Sequence, residues 1–361
     1  PHIQPSLATL FSGLYPTSNG LRQPGEFLSS DATTLAEVLG TAGYATGAFL
    51  EGAASSGDYG LAQGFEAFSF SDGPGVEATA WISNRAAESF LAVFGGWSQP
   101  ASEKVQHLLG DSGAPEDFSA RVQEVLASRL TDEPLEFTDD ELGWVRSWYA
   151  ARIQVIDSLL ADFIAEFRAL GLDRRAILVV VGSNGFALQE HGGLFGENLF
   201  TPVTRVPMLV RLPGGAKAQV VSKVVEVVDL MPTLLGLVGQ ELPPGIQGAS
   251  LLPIIEGGGQ PPYIAFAEST QGGGQRFVAL GGMGLVSGPA GAGAEIYDLV
   301  TDPLQLEELS GTQADKAGVM VRHHQAWEKR AAVASLDPNL RAEEDLDEET
   351  RKQLKSLGYI Q

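Results

Sequence analysis

A chain of 361 residues has room for one large α/β domain with a smaller module beside it. Its 45 acidic against 23 basic residues give a net charge of −22, which argues against nucleic acid and anionic membrane surfaces as partners, because neutralising phosphates takes clustered Lys and Arg. Cysteine is absent, so the chain has no disulfide and no thiolate metal site, and no apolar run is long enough to span a bilayer. This composition fits a periplasmic or extracellular protein of the bacterial envelope. The opening Pro1-His2-Ile3, with no initiator Met, leads to the expectation of a processed or incomplete N-terminus.

The first predicted element is a helix over 5–14, with Pro5 in its first turn and Leu7, Leu10, Phe11 and Leu14 at helical spacing. Thr33 or Thr34 caps a second helix that turns Leu35, Val38 and Leu39 inward and stops at Gly43. Strands follow at 44–50 and 90–94, with a helix at 78–89 between them. Residues 98–140 are polar and punctuated by Pro, which predicts a peripheral insertion of loops and short helices. The wide apolar face from Val145 to Leu170 predicts a long helix ended by Gly171, and 177–181 is an apolar strand after it. Helix, loop and strand in that order are the βαβ rhythm of a parallel sheet.

A strand at 208–212 and a helix starting near Asp229 complete the first part. The Gly- and Pro-rich run 256–262 marks a domain boundary, dividing the chain into 1–258 and 259–361. Beyond it, short strands near 263–268, 276–280 and 294–299 predict a small antiparallel sheet. A helix near 312–330 and an acidic tail at 343–349 close the chain.

The run Val179-Val180-Val181-Gly182-Ser183-Asn184-Gly185 carries the most information. Three β-branched residues make a strand, and a polar loop opens at its C-terminal end, where open α/β sheets bind ligands. It resembles the late active-site strand of sulfatases, in the alkaline phosphatase superfamily, where Asp-Asn or Asp-His stands as a calcium-ligand pair. Pro5-Ser6 through Gly13-Leu14-Tyr15-Pro16 resembles the sulfatase signature. Arg205-Val206-Pro207, Val228 through Leu235, Gly248 through Pro253 and Glu295 through Leu299 are similar to later family stretches, in the family's order. The resemblance implies an α/β fold, a mostly parallel sheet sandwiched by helices, with a C-terminal subdomain of antiparallel sheet plus helix. It also implies that the family's opening strand, with its Asp-Asp metal pair, lies outside this chain.

The same resemblance implies a degenerate site. The nucleophile position falls on Ile3, whose side chain has no lone pair to attack sulfur or phosphorus; it reads as an ordinary buried apolar residue. Ser6 and Thr9 are the nearest hydroxyls, with capping and packing as their usual duties. The metal pair falls on Ser183 and Asn184, which together bring no carboxylate, whereas calcium takes six to eight oxygens with several charged. The anion pocket falls on Glu51, Ser98 and Glu197, two of which would repel a sulfate. His191 reads as a relic proton donor or, with its partners gone, a loop hydrogen-bonder. His2 lies near the old nucleophile pocket, and the His323-His324 pair on the C-terminal helix reads as a solvated face.

These residues predict a pseudoenzyme: a sulfatase-like structural or binding subunit, without activity or cofactor, whose partners are other protein subunits. The old cleft is then packed shut by Ile3 and Phe186, or holds a glycan or small molecule. Exposed Trp and Tyr, Trp97 among them, would suit a glycan, and the Gly-rich stretches 272–274, 281–284 and 288–293 would suit protein partners. The alternative is an active sulfuric or phosphoric ester hydrolase that uses calcium held by ligands from a preceding segment.

Overall fold

The computed structural model describes residues 3–23, 26–51, 59–71, 75–95, 102–110, 112–128, 135–192, 194–196, 198–215, 218–258, 264–269 and 274–336. Helix α1 (Ile3–Ser12) buries Ala8 and Phe11 against the following loop, and the Ser12 hydroxyl turns back to donate to the Ala8 carbonyl at 2.6 Å. The short helix α2 (Pro16–Asn19) starts on a proline, whose missing N–H costs nothing in a first turn.

Helix α3 (Leu35–Thr41) starts on a capping box. Thr34 Oγ1 accepts from the Glu37 N–H at 3.2 Å, and the Glu37 carboxylate accepts from the Thr34 N–H at 2.8 Å. Thr34 also donates to the Gln63 carbonyl, tying the helix start to the next loop. Thr34→Ala is expected to cost about 1 kcal/mol or slightly more, read as a lower urea midpoint with an unchanged slope.

Strands β1 (Ala45–Glu51) and β2 (Ala67–Ser71), helix α4 (Gly75–Arg85) and strand β3 (Phe90–Gly95) form a parallel three-stranded sheet in the order β2-β1-β3. Phe49 at its centre is 1% exposed, with Trp81 on one side and Phe94 stacked at 6.0 Å on the other. The polar stretch predicted as a peripheral insertion contains helices α5 (Ser102–Gly110) and α6 (Phe118–Ser128). Their Val105, Leu109, Phe118, Val122 and Val125 share a core with Val145 and Trp148 of helix α7 (Asp139–Ala169). Thr138 and Glu141 box the start of α7, whose first turn is acidic and whose last carries Arg168, as its dipole favours.

Strand β4 (Leu178–Val181) is followed by the short pair β5 (Ala187–Leu188) and β6 (Leu194–Phe195), helix α8 (Thr201–Thr204) and strand β7 (Met208–Arg211). The βαβ rhythm predicts a parallel strand at 177–181, yet β4 and β7 pair antiparallel. Between them the chain carries only a hairpin and the one-turn α8, too little for the crossover that a parallel pair needs.

Every residue of Phe90–Gly95 and of Leu178–Val181 is only half-buried, although both segments are apolar throughout. Each strand pairs on one side alone among the described residues. Both pack on the same face of α7, where Phe94, Phe163, Phe167 and Leu178 belong to one cluster. A strand apolar on both faces is normally covered on both and paired on both edges.

Helices α9 (Leu230–Leu237) and α10 (Leu252–Ile255) lead to an antiparallel sheet of β8 (Ile264–Glu268), β9 (Arg276–Leu280), β10 (Met283–Ser287) and β11 (Glu295–Asp298), in the order β11-β10-β9-β8. The Gly-rich stretch 281–284 serves a turn and a buried strand. Gly281 and Gly282, both at positive φ, make the two-residue turn of the β9–β10 hairpin, and β10 is buried along its whole length. Gly291 of the 288–293 stretch lies against Val321. Helix α11 (Ala314–Val333) covers this sheet through Met320 and reaches back to α2, where the Ala331 carbonyl accepts from Ser18 Oγ.

Candidate functional site

Ile3 opens α1 and is 44% exposed, which corrects its reading as a buried residue: the helix face of Pro5, Ala8, Thr9, Phe11 and Ser12 is the one that meets the core. Thr9 Oγ1 is buried without a hydrogen-bond partner, hence without a base bonded to it, among the described residues.

The loop after β4 is pinned by its backbone. Gly182 N–H donates to the Pro207 carbonyl at 3.0 Å and Gly185 N–H to the Val203 carbonyl at 2.7 Å. Ser183 Oγ donates to Asn184 Oδ1 at 3.0 Å, and Asn184 Nδ2 donates to the Gly185 carbonyl at 3.0 Å. The two side chains thus satisfy one another and their own backbone. Asn184 has a single side-chain oxygen, which accepts from Ser183, and neither residue carries charge. Among the described residues no group of three or more His, Cys, Asp or Glu could hold a metal ion. This donor set does not fit calcium, which needs its charge balanced by carboxylates.

Phe186 does not close the cleft with Ile3. Its ring stacks on Tyr149 of α7 at 5.5 Å, and the Arg152 guanidinium lies over it. His191 sits at φ 58°, in the left-handed region, with its ring flat on Phe200 at 3.4 Å and edge-on to Tyr297. Its Nε2 meets the Leu304 carbonyl at 2.8 Å, so it fastens the loop to the C-terminal sheet. His191→Ala is expected to cost about 1–3 kcal/mol, from the lost stack and hydrogen bond, measured by chemical denaturation.

Glu51, Ser98 and Glu197 have side chains outside the described residues, as do His2, Trp97 and the acidic tail. Of the other tryptophans, Trp81, Trp148 and Trp327 are buried and Trp144 is half-buried, so none offers an exposed platform for a sugar. The His323-His324 pair is not a solvated face. His323 is exposed, whereas His324 is wholly buried, 3.3 Å from Glu328 and facing Ser287 Oγ. Burial pushes its pKa down despite that carboxylate.

One cluster went unread in the sequence. Glu226 and Asp229 are the only charged residues in the apolar run 224–237. The Tyr15 hydroxyl reaches both Glu226 oxygens at 2.9 and 3.0 Å, and the Phe266 N–H donates to Oε1 at 2.7 Å. Asp229 accepts from the Ala249 N–H at 2.7 Å and the Glu226 N–H at 2.9 Å. Burial, then the neighbouring Asp229 charge, pushes the Glu226 carboxyl up to about 8 against the pull of those donors. Burial raises Asp229 as well, and burial next to Glu226 drives the Tyr15 phenol far above its usual range. Two carboxyls three residues apart inside an apolar run were the available signal.

A family model described as Sulfatase matches residues 115–240. Arylsulfatase K of Bos taurus is 33% identical over 118 residues, covering 33% of this chain and 22% of that protein. Over this stretch the chain is similar to sulfatases. Arylsulfatase K of Homo sapiens is 31% identical over 118 residues, 33% of this chain and 22% of the relative, so the sulfatase-family match spans about a fifth of these relatives' length. In fold, the chain superposes on BT4656, solved with its substrate D-glucosamine-2-N,6-O-disulfate, at a TM-score of 0.68 and 18% identity, covering 91% of this chain and 88% of that one. It superposes on the phosphonate monoester hydrolase of Agrobacterium radiobacter at 0.68 and 18%, covering 92% and 87%. The fold is therefore the sulfatase α/β fold, with the C-terminal antiparallel sheet and helix beside it.

Proposed function

We propose that this chain is a sulfatase-fold protein without sulfatase turnover, acting as a structural or binding subunit outside the cytoplasm. The observation that carries the reading is the Ser183-Asn184 pair. The position where the family resemblance requires a charged metal ligand holds two neutral side chains that hydrogen-bond to each other and to their own backbone. Ile3 supports it, since an exposed sec-butyl group at the helix N-terminus can neither attack an ester nor be oxidised to something that can. Fold and chemistry separate here. Any ligand of the old cleft is a neutral or cationic glycan or small molecule, and the partners are other protein subunits.

A second reading is favoured by the half-buried strands β3 and β4. Their one-sided pairing and incomplete covering fit a sheet completed by a further strand. If residues preceding Pro1 supply that strand and carry carboxylates, a calcium-dependent sulfuric ester hydrolase is the alternative.

The test is turnover of an aryl sulfate and an aryl phosphate by the native-source protein, with metal content measured by mass spectrometry after dialysis. The expected result is no rate above a denatured control and no stoichiometric divalent ion. Turnover that disappears on chelation would overturn the first reading and support the second.

A further inference from the structure

Helix α11 is fastened to the C-terminal sheet through one enclosed group of polar side chains. Directly paired positions of antiparallel strands share a face, so Glu268 of β8, Arg276 of β9 and Ser287 of β10 form a single row across the sheet. His324 and Glu328, one turn apart on α11, meet that row. Arg276 Nε lies 3.2 Å from Glu328 Oε1, and His324 Nε2 lies 3.3 Å from the same oxygen. His324 Nδ1 faces Ser287 Oγ at 3.5 Å. The imidazole is wholly buried, and its Nε2 has no partner in hydrogen-bonding geometry among the described residues.

The charge balance decides what a proton would do here. With His324 neutral, Arg276 and Glu328 cancel. With His324 protonated, two cations converge on one carboxylate oxygen in a space closed to water, where an uncompensated charge is costly. Arg276 is not free to swing away, because its Nη1 donates to the carbonyls of Ser269, Gly274 and Gln275. Glu268, one strand further along the row, accepts from the N–H and hydroxyl of Thr17 in α2. Strand β10 carries no charged residue. Burial first, and then Arg276, hold the His324 pKa below the usual histidine value, against the pull of Glu328.

We propose that His324 is an acid-sensitive clasp: when it takes up a proton, α11 loosens from the C-terminal sheet. Opening hydrates the imidazolium and separates it from Arg276. It uncovers Val278, Leu285 and Ile296, which pack with Met320 of α11, and releases the hydrogen bond from Ser18 to the Ala331 carbonyl. The sign follows from the enclosed ring. The folded protein favours the neutral imidazole, so this stabilisation is present above the ordinary histidine pKa and is lost as pH falls through the lowered folded value. Glu226 has the opposite sign, since burial favours its protonated form, so acid loosening of α11 would not come from it.

The clasp stands apart from any turnover, and its test is hydrogen exchange by mass spectrometry on the full chain at about pH 7.5 and about pH 5. Each amide rate is corrected for the chemical exchange rate at that pH. Relative to β1 and β3, the protection of residues 314–333 is expected to fall about tenfold or more at the lower pH, one pKa unit being worth tenfold. His324→Phe keeps an aromatic ring but takes no proton, and should abolish that relative loss. Ring NMR of the wild-type histidines reads the same event without a substitution, so a variant that fails to fold leaves the test intact. His324 should titrate below the range of a histidine in a free peptide. Unchanged relative protection of α11, a loss that persists in His324→Phe, or a His324 ring that titrates at or above the free-peptide range would each overturn the proposal.

Discussion

Gly185→Ala is expected to unfold the loop after β4 or destabilise the whole chain by about 3 kcal/mol or more. A Cβ there would lie 2.1 Å from the Pro202 carbonyl oxygen and 3.1 Å from the Val203 Cα, both backbone atoms that no rotamer change can move aside. The same glycine donates its N–H to the Val203 carbonyl at 2.7 Å, so separating the two backbones also breaks that hydrogen bond. Gly143→Ala is the comparison. It lies within α7, where an added Cβ would meet nothing within 4 Å, so alanine there should stabilise by about 0.5–1 kcal/mol. Both are read from urea midpoints followed by circular dichroism. Equal effects of the two substitutions would mean that the 183–187 loop does not pack against α8 as described.

That packing bears on function as well as stability. In a metal-binding version of this loop, ligand side chains point away from the backbone toward an ion. Here Ser183 and Asn184 close on each other while Gly185 is held against α8. Ser183→Asp would place one charge in a loop where no cluster of metal-ligating side chains stands among the described residues.

Much of this arrangement was legible in the sequence, for physical reasons that vary by element. Helix α3 announces itself through its Thr34 cap, and the body of α7 through its apolar face; its start at Asp139 and the Thr138–Glu141 box lie upstream of the Val145 at which the sequence places it. The apolar strands β1, β3 and β4 follow from runs of β-branched and aromatic residues. Strand β2 was missed because Ala67-Phe68-Ser69 has no strong β preference and is held by its pairing to β1. Strand β10 was missed because Gly281, Gly282 and Gly284 read as punctuation. Two of them form the turn, and the third lets Leu299 approach closely. Pairing direction at β4–β7 is a tertiary fact that the helix–strand rhythm does not carry.

The site divides in the same way. The order of motifs carries the family resemblance, and with it the expected nucleophile and metal positions. How they are used is not: the exposure of Ile3, the turning of Phe186 toward Tyr149 and the stacking of His191 on Phe200 depend on neighbours far along the chain. His324 is the clearest case. Adjacent histidines on a helix point in different directions, and only the sheet behind α11 decides that His324 is the one enclosed.

Glu226→Gln should change the pH dependence of stability more than any other conservative substitution in the chain. The carboxyl is raised from 4.5 to about 8 by burial, so the native state holds its proton where the unfolded chain has lost it. The sign follows: stability from this group is fully present below its unfolded pKa and is lost as pH rises through about 8. Each unit of difference is worth about 1.4 kcal/mol. Part of the carboxyl's surface faces a cavity that Tyr15, Asp229 and Trp327 also line, and solvent there reduces the effect, so a total of roughly 2–4 kcal/mol between about pH 5 and pH 9 is expected. The amide has no proton to lose and still accepts from the Phe266 N–H. Wild type and variant should therefore unfold at nearly the same urea concentration near pH 5 and diverge above neutrality, with the variant the more stable. Parallel pH profiles would mean that Glu226 is ionised in the native protein with a cation already beside it.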